Sequence, residues 1–378
     1  MQRMLLYEFA TSGGLFGDRA TLASESIRRE GAAMLTALAA DFAAVDGVEA
    51  VVMVDSRATL DLPGCRVESV RSSDEEFSLL SSGSRQADWT IVIAPEFHDL
   101  LRSRFRLVEE SGGRLLGPSS GLVALAADKQ RTAERLSAAG VPAPRGIALD
   151  ADDPLPAEFP FPAVLKPRFG AGSQDVRRIP DREALMESRS AISGPSRLER
   201  FCPGVAASVA LLCGPVERFA LPPGRQRLSD DDEFRYLGGA MPLPPEASKR
   251  AVALAERAIA AMPDPFGFVG VDLVLGNEPD GRDDVVIEIN PRLTTSYVGL
   301  RALAEGNLAA AMLAVAAGNP VRLSFAQHAL EFDADGTIRT PNKSGGDCPP
   351  FARAPSPRWS AEQNGDCPLV PAGFVRRS

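Results

Sequence analysis

Residues 267–301, GFVGVDLVLGNEPDGRDDVVIEINPRLTTSYVGLR, carry the strongest fold signal because they combine two strand patterns with several oxygen-bearing side chains. Residues 268–275 and 285–289 are rich in β-branched and other apolar residues, and the Gly, Asn, Pro and Asp residues between them are typical of a hairpin connection. Because side chains alternate along a strand, Glu288 and Asn290 point to the same face, away from the isoleucines beside them.

Asp272, Glu288 and Asn290 are the candidate metal ligands of this hairpin. Three oxygen-bearing side chains on an otherwise apolar sheet are costly to bury unless a cation or a hydrogen-bond partner compensates them. Hard oxygen ligands in small number suit Mg²⁺ that arrives with the phosphates of a nucleotide. Arg292 follows the rigid Pro291 and adds a cation that could grip a carboxylate or an oxyanion. The alternative is that Asp272 and Glu288 are ordinary polar residues on a half-solvated sheet.

The composition limits the classes of function. With 378 residues, 44% of them hydrophobic and 24% charged, the chain is long enough for about two or three globular domains. The net charge of -9 argues against a general nucleic-acid binder, because phosphate backbones are bound by clustered Lys and Arg. The N-terminus has too short an apolar run for a signal peptide, and no stretch is long enough to span a bilayer. We therefore expect neither a nucleic-acid partner nor a membrane partner.

The cysteines and histidines argue against several kinds of site. Five scattered cysteines without CxxC spacing predict neither a disulfide framework nor a zinc site, and they fit a reducing cytoplasm. His98 and His328 lie on unrelated segments, which argues against a histidine-based triad. Catalysis would then depend on carboxylates, Lys, Arg and a metal ion. A homodimer is the default expectation for the assembly.

The distribution of strand and helix patterns predicts an α/β protein with four parts. Strand-like and helix-like runs alternate in residues 1–118, which predicts an open parallel sheet with covering helices. A smaller α/β lobe follows at 119–203, and a larger lobe with the metal site at 204–332. Residues 333–378 are rich in Pro, Gly, Ser and Asn and are predicted to form a disordered tail.

Loops that follow the strands of an open parallel sheet are where ligands bind. Two such loops contain polar or flexible residues, one at residues 11–14 and one with Glu96. Gly13 and Gly14 in the first loop fit a tight turn as well as they fit a ligand contact.

Residues 163–176, AVLKPRFGAGSQDV, carry a phosphate-binding pattern. Lys166 lies in an apolar strand and is followed by a loop that contains Gly170, Gly172 and Ser173. Backbone N–H groups of a glycine-rich loop can approach phosphate oxygens closely, and a lysine on the adjoining strand supplies charge. The alternative is that Lys166 extends from an edge strand into solvent.

The order of these motifs resembles the ATP-grasp superfamily over residues 4–320: DK before a helix, LKP with a glycine-rich loop, ERFCPG, VGVDLV and IEINPR. The resemblance implies an ATP-grasp fold, in which an N-terminal open parallel α/β domain is followed by two α/β lobes that clamp ATP. It implies contacts to the phosphates and the adenine of ATP from Lys129, Lys166, Gly170, Gly172, Ser173, Glu199, Arg200, Phe201 and Cys202. It further implies that Asp272, Glu288 and Asn290 bind one or two Mg²⁺ ions, with Mn²⁺ as an alternative. Arg292 and Lys166 would stabilise the reacting group.

Within the superfamily, the segments LLYEFATSGGL, PGVAASVALL and EINPRLTTSYVGLR are similar to the tyramine-glutamate ligase branch of methanofuran-type cofactor biosynthesis. This similarity implies ATP-dependent activation of a carboxylate, with glutamate as the candidate, as an acyl phosphate. An amine, with tyramine as the candidate, would then form an amide. The acid and the amine would be selected by Glu96, the first loop and residues 225–236, with Arg225, Gln226, Arg227 and Tyr236 as candidates.

The chain departs from the family pattern directly after Gly204. Many members carry an acid there that holds the ribose hydroxyls, whereas residues 205–207 of this chain are Val, Ala and Ala. Ribose recognition therefore has no candidate in the sequence.

Two other functions stay open from the sequence. A bicarbonate-activating carboxylase or a carbamoyl-phosphate-type subunit would need a carrier or partner, and no biotinyl-lysine motif is present. A non-catalytic or regulatory ATP-binding protein agrees with the missing ribose acid. The intact set of charged residues around Lys166 and Asp272 argues against it.

Overall fold

The computed structural model describes residues 1–17, 25–150, 152–170, 175–188 and 194–340. The predicted N-terminal parallel sheet is confirmed. Its strands run in the order β3-β2-β1-β4, all parallel. The strands are β1 (Gln2–Glu8), β2 (Val48–Asp55), β3 (Arg66–Val70) and β4 (Trp89–Ile93), and the helices are α1 (Glu25–Ala43), α2 (Ser73–Gln86) and α3 (Leu100–Glu110).

Strand β1 forms the centre of this sheet, and its residues from Met4 to Glu8 are all buried. Met4 and Leu6 pack into one apolar core with Leu35 and Leu38 of α1, whereas Leu5 and Tyr7 pack into another on the opposite face. A strand buried on both faces is typical of a parallel sheet covered by helices on both sides. The carboxyl ends of β1 and β4 consequently lie side by side at one edge of the domain.

A second sheet forms the smaller lobe, with strand order β5-β8-β6-β7 and antiparallel pairing throughout. Its elements are α4 (Ser120–Ala126), α5 (Lys129–Ala138), β5 (Gly146–Leu149), β6 (Ala163–Pro167), β7 (Arg177–Ile179), α6 (Arg182–Ser188) and β8 (Ser196–Arg200). Asp128 separates α4 from α5, because its carboxylate accepts hydrogen bonds from the N–H groups of Gln130 and Arg131 and caps α5.

The third sheet has the order β14-β13-β9-β11-β12-β15-β16, with β10 paired to β9. Its strands are β9 (Val205–Cys213), β10 (Arg218–Ala220), β11 (Gly224–Leu228), β12 (Tyr236–Met241), β13 (Gly267–Leu275), β14 (Val285–Asn290), β15 (Leu330–Asp333) and β16 (Ile338–Arg339). Helices α7 (Pro245–Ala260), α8 (Ser296–Leu303) and α9 (Leu308–Ala316) accompany it. The predicted hairpin is the antiparallel pair of β13 and β14.

The predicted tail requires a correction at its start. Asp333 is the last residue of β15, which pairs with β12, and Ile338–Arg339 pairs in turn with β15. Leu330 and Phe332 alternate toward the core and are almost fully buried, which explains why the strand forms here. The sheet therefore extends beyond residue 332, and residues 341–378 of the predicted tail lie outside the described part of the chain. Of the helices in the described residues, none is long and apolar enough to cross a membrane.

Candidate active site

The β13–β14 hairpin places Asp272 directly opposite Glu288, and Gly270 opposite Asn290. The register shifts between Asp272 and the next residue, so that a bulge follows the pair. Asn290 Nδ2 donates to Asp272 Oδ2 at 3.0 Å, and Gln226 Nε2 donates to Asp272 Oδ1 at 2.9 Å. The three side chains that the sequence singled out as metal ligands are thus neighbours on one face of the sheet.

The electrostatics of this pair favour a bound cation. Burial and the facing Glu288 carboxylate raise the pKa of Asp272 to about 7, although the amides of Asn290 and Gln226 and the charge of Arg292 act in the opposite direction. Two carboxylates directly opposite each other repel, and a cation between them would remove this cost. Among the described residues, no group of three His, Cys, Asp or Glu side chains is arranged to hold a metal ion. Two carboxylates with one amide oxygen nevertheless fit the oxygen ligands that Mg²⁺ takes when nucleotide phosphates and water complete its shell.

Both predicted phosphate-binding lysines are buried beside this hairpin. Lys129 Nζ lies 2.8 Å from Glu288 Oε1 and donates to the carbonyl of Gly170 at 2.5 Å. Lys166 Nζ lies 2.5 Å from Glu199 Oε1, and Lys166 is only 4% exposed. The alternative of a lysine that extends into solvent is therefore wrong for Lys166. A buried ammonium group next to a cavity is suited to an anionic ligand.

The loop after β6 is fixed to the start of α5. Arg168 donates through Nε and Nη2 to the two carboxylate oxygens of Asp128 at 2.8 and 2.7 Å. The N–H of Lys129 donates to the carbonyl of Arg168 at 3.0 Å. These bonds bring Lys129 next to Gly170, where the glycine-rich loop begins. Gly172 and Ser173 of the predicted phosphate loop lie outside the described residues.

Residues 199–202, the segment predicted to surround adenine, make two kinds of contact. The Glu199 carboxylate is buried and pairs with Lys166 on one oxygen and with Arg197 Nε on the other, at 2.8 Å. It therefore orients Lys166, and it lines the same cavity as the three residues that follow it. Arg200, Phe201 and Cys202 line the cavity, as predicted for that segment.

An aromatic pair that the sequence did not predict lies at this end of the cavity. The rings of Phe201 and Phe234 are stacked, with centroids 6.3 Å apart and planes at 22°. The guanidinium carbon of Arg178 lies 4.7 Å from the centroid of Phe201. Flat aromatic surfaces suit a planar base. Phe234 lies in an irregular segment with a positive φ of 53°, so no strand or helix periodicity could have singled it out.

One cavity of about 330 Å³ connects these groups. It extends from the aromatic pair past the lysines and the β13–β14 carboxylates to a set of polar residues contributed by α1, β12 and the loop before α8. This set comprises Glu30, Tyr236, Arg292, Thr294, Thr295 and Ser296. Gln226 and Tyr236, predicted as substrate-selecting candidates, line the cavity. Arg225 is exposed, and Arg227 forms an ion pair with Asp333.

Arg292 and Glu96, predicted separately, meet in the structure. Arg292 Nε lies 2.9 Å from Glu96 Oε1, and Nη2 donates to Oε2 at 3.1 Å. Both side chains are largely buried. The guanidinium therefore has a fixed orientation at the cavity wall, set by the loop that follows β4.

The first loop of the N-terminal domain is explained by backbone packing. Gly13 has a φ of +96°, and a Cβ on Gly14 would come within 2.4 Å of the Phe9 carbonyl oxygen, so both positions require glycine for a tight turn. Glu8 at the end of β1 accepts hydrogen bonds from the N–H groups of Ala10 and Thr11. Burial raises the pKa of Glu8 to about 7.

Comparison with known proteins agrees with this geometry. The ATP-grasp domain family matches residues 126–296, and the pre ATP-grasp 3 domain family matches residues 48–123. A tyramine–L-glutamate ligase from Methanocaldococcus jannaschii is 25% identical over 338 residues, which cover 89% of this chain and 95% of that protein.

Solved structures show the same fold. An ATP-grasp superfamily protein from Archaeoglobus fulgidus superposes with a TM-score of 0.63 at 24% identity, covering 88% of this chain and 92% of that one. An N5-carboxyaminoimidazole synthetase from Staphylococcus aureus, solved in complex with ADP, gives a TM-score of 0.64 at 14% identity, covering 87% and 81%. The cavity with its lysines and paired carboxylates therefore lies in a chain that has the ATP-grasp fold and whose residues 126–296 match the ATP-grasp domain family.

Proposed function

We propose that this ATP-grasp enzyme is an ATP-dependent ligase that activates a carboxylic acid as an acyl phosphate and joins it to an amine. The products are an amide, ADP and phosphate. The observation that carries the proposal is the convergence of Lys129, Lys166, the Asp272–Glu288 pair and Arg292 on one cavity. The similarity to a tyramine–L-glutamate ligase over 89% of the chain supports glutamate as the acid and tyramine as the amine.

ATP would occupy the cavity with its base toward the aromatic pair. Phe201 and Phe234 supply flat apolar surface at that end. Lys129 and Lys166 are buried near the carboxylate pair and suit the phosphates. In this arrangement each lysine exchanges part of its contact with Glu288 or Glu199 for a phosphate oxygen.

Asp272, Glu288 and Asn290 would hold Mg²⁺, and Mn²⁺ is the alternative ion. When bound, the ion neutralises charge on the phosphate oxygens during phosphoryl transfer. The repulsion between the two facing carboxylates is the feature of the structure that fits this role.

The chemistry then needs no covalent intermediate on the protein. A carboxylate oxygen of the acid attacks the γ-phosphorus of ATP, and the bond to ADP breaks. Lys129 and Lys166 stabilise the charge on the transferred oxygens. The ammonium group of the amine first loses a proton to water. Its neutral nitrogen then attacks the acyl carbon, a second proton leaves the nitrogen, and the C–O bond to phosphate breaks. Arg292, oriented by Glu96, donates to the oxyanion that forms at the acyl carbon.

The bicarbonate-activating alternative is not favoured. The N5-carboxyaminoimidazole synthetase from Staphylococcus aureus resembles this chain at 14% identity and supports the fold alone. The curated relative that matches nearly the whole chain is a ligase of an amino acid and an amine. The cytoplasmic location, the lack of a nucleic-acid partner and the homodimer stay predictions from the sequence.

The direct test is ADP release with Mg·ATP for a panel of acid and amine pairs that includes glutamate and tyramine, with mass spectrometry of the product. Release that depends on one acid and one amine, with a product lighter than their sum by one water, is the expected result. Tight ATP binding without release for any pair would contradict the ligase function. Release stimulated only by bicarbonate would favour the carboxylase alternative.

A further inference from the structure

Glu30 stands out among the polar residues of the cavity because the hydrogen bonds to its carboxylate are long. Ser26 Oγ donates to Oε1 at 3.3 Å, and Thr295 Oγ1 donates to Oε2 at 3.4 Å. Within the described part of the chain, no ion pair involves Glu30. The residue lies on α1 of the N-terminal domain and reaches the same cavity as the metal-binding pair.

The fully buried carboxylates near the cavity have strong partners, whereas Glu30 is only partly buried and has two long hydrogen bonds. Glu96 pairs with Arg292, Glu199 with Lys166 and Asp41 with Arg301, at N–O distances of 2.9, 2.5 and 2.8 Å. Glu8 accepts short hydrogen bonds from backbone N–H groups instead. An ionised carboxylate that is removed from water without such a partner is costly. Burial accordingly raises the pKa of Glu30, against the weaker effects of Ser26, Arg292 and Thr295.

The surroundings of Glu30 are suited to a small cation. Tyr236 lines the same cavity from β12, and burial, with smaller effects from the charges of Glu30 and Asp272, raises the pKa of its phenol. Thr295 adds a hydroxyl group from the loop before α8. A carboxylate with neutral oxygen atoms around it can accept all three N–H donors of an ammonium group.

We propose that Glu30 binds the ammonium group of the amine substrate, with the Tyr236 hydroxyl as a second acceptor. This inference rests on the proposed ligase function and assigns the amine to the side of the cavity formed by α1 and β12. The ligand class is a primary alkylammonium ion. The charge of Glu30 disfavours a carboxylate beside the ammonium group, which favours tyramine over an amino acid at this position.

The steady-state test uses Glu30→Gln, which keeps the shape and removes the charge. Loss of one charge-assisted contact should raise KM for tyramine by about 10- to 100-fold. KM for ATP and for glutamate should change less than about twofold. Glu25→Gln, on an exposed position of the same helix, is the matched control and should behave like the wild type. A purely structural link between α1 and Thr295 would instead alter all three KM values together, and that result would overturn the assignment.

Hydroxylamine separates this inference from the proposed function. It is largely uncharged at neutral pH and attacks acyl phosphates without an ammonium subsite. The wild type and Glu30→Gln should both form the hydroxamate of the acid at similar rates, although only the wild type uses tyramine efficiently. A wild type that forms neither hydroxamate nor amide would contradict the ligase function itself.

Binding alone provides a readout that does not need turnover. Calorimetric titration of tyramine into the wild type with ADP present should show binding that Glu30→Gln weakens by about tenfold or more. 4-Ethylphenol, which lacks the amine, should bind wild type and Glu30→Gln with the same affinity. Equal tyramine affinity in wild type and variant, or an equal weakening of 4-ethylphenol binding in the variant, would show that Glu30 does not bind the ammonium group.

Discussion

Arg292 in the segment after β14 and Glu96 in the loop after β4 form a two-contact ion pair between residues 196 positions apart in the sequence. The pair joins the N-terminal domain to the loop that follows the β13–β14 hairpin. Because the guanidinium is planar and is held at two nitrogens, its orientation at the cavity wall is fixed. We therefore regard Glu96 as a positioning residue that acts through Arg292.

Replacing Arg292 by Lys should test the importance of this orientation. A lysine keeps the charge but cannot make the two parallel contacts, so we expect kcat for amide formation to fall about 10- to 100-fold with little change in KM for ATP. Glu96→Gln should lower kcat less, by about tenfold. In a double-mutant cycle, the fold-decrease in kcat of the double variant should be smaller than the product of the two single-variant decreases. The reason is that both substitutions act on the same guanidinium group. Arg282→Lys in the exposed hairpin connection is the control. Fully multiplicative effects would show that Glu96 acts independently of Arg292.

Neutralising either carboxylate of the hairpin should remove Mg²⁺-dependent turnover. For Asp272→Asn and for Glu288→Gln we expect kcat to decrease by about 100-fold or more, since each removes a charged ligand from the site that neutralises phosphate charge. The fold should persist, because both changes relieve repulsion between facing carboxylates. Turnover as a function of Mg²⁺ concentration and circular dichroism are the measurements, with Asp280→Asn in the hairpin connection as control. Near-normal turnover in either variant would show that the assignment of the metal ligands is wrong.

Because the pKa of Asp272 is raised, the free energy of unfolding of the protein without nucleotide should depend on pH. The Asp272 carboxyl titrates at about 7 in the folded protein and near its usual lower value when unfolded, so the folded state binds more protons between these limits. The stability that this bound proton contributes is fully present at pH values below the pKa of the unfolded carboxyl. It is lost as the pH rises toward 7, the pKa in the folded protein. Between about pH 4 and pH 7, the difference in unfolding free energy between wild type and Asp272→Asn, measured by urea unfolding, should shift by about 4 kcal/mol in favour of the variant. A difference that does not change with pH would contradict the shifted pKa.

Much of this site could be predicted because its parts are local in sequence. The hairpin follows from alternation in residues 268–275 and 285–289, and alternation also assigns Glu288 and Asn290 to one face. Lys166 is recognisable because an ammonium group within an apolar strand needs an anion. The alternation is wrong at one position of β14, because the register shifts after Asp272 and Ile287 lines the cavity instead of entering the core with Ile289.

The contacts between distant elements could not be predicted. Thr295 and Glu30 are 265 positions apart, and Glu30 lies on a helix where a glutamate is ordinary. The sequence likewise could not show that the carboxylate of Glu199, which lines the cavity as its place in the adenine segment requires, is held by buried Arg197 and Lys166. Such pairings depend on which strands and helices become neighbours, and no periodic pattern reports them.

Many ATP-grasp proteins hold the ribose hydroxyls with an acid shortly after the position of Gly204, where this chain has small apolar residues. In β9 the residues with side chains toward the cavity alternate, so that Ala206 and Ser208 line it, whereas Ala207 is buried in the core. Ala206 is therefore the position where an acid could accept hydrogen bonds from the ribose hydroxyls. Because alanine offers no acceptor, we expect the wild type to use ATP and 2′-deoxy-ATP with kcat/KM values within about threefold of each other.

Ala206→Glu should introduce a preference for ATP. A carboxylate that accepts from a ribose hydroxyl contributes about 1.5–3 kcal/mol, which corresponds to a discrimination of about tenfold or more against 2′-deoxy-ATP. Competition between the two nucleotides in the ADP-release assay measures it, and Ala206→Gln, which can still accept a hydrogen bond but has no charge, should give an intermediate ratio. Strong discrimination by the wild type would show instead that another group of this cavity already holds the ribose, and Ala206→Glu would then add little.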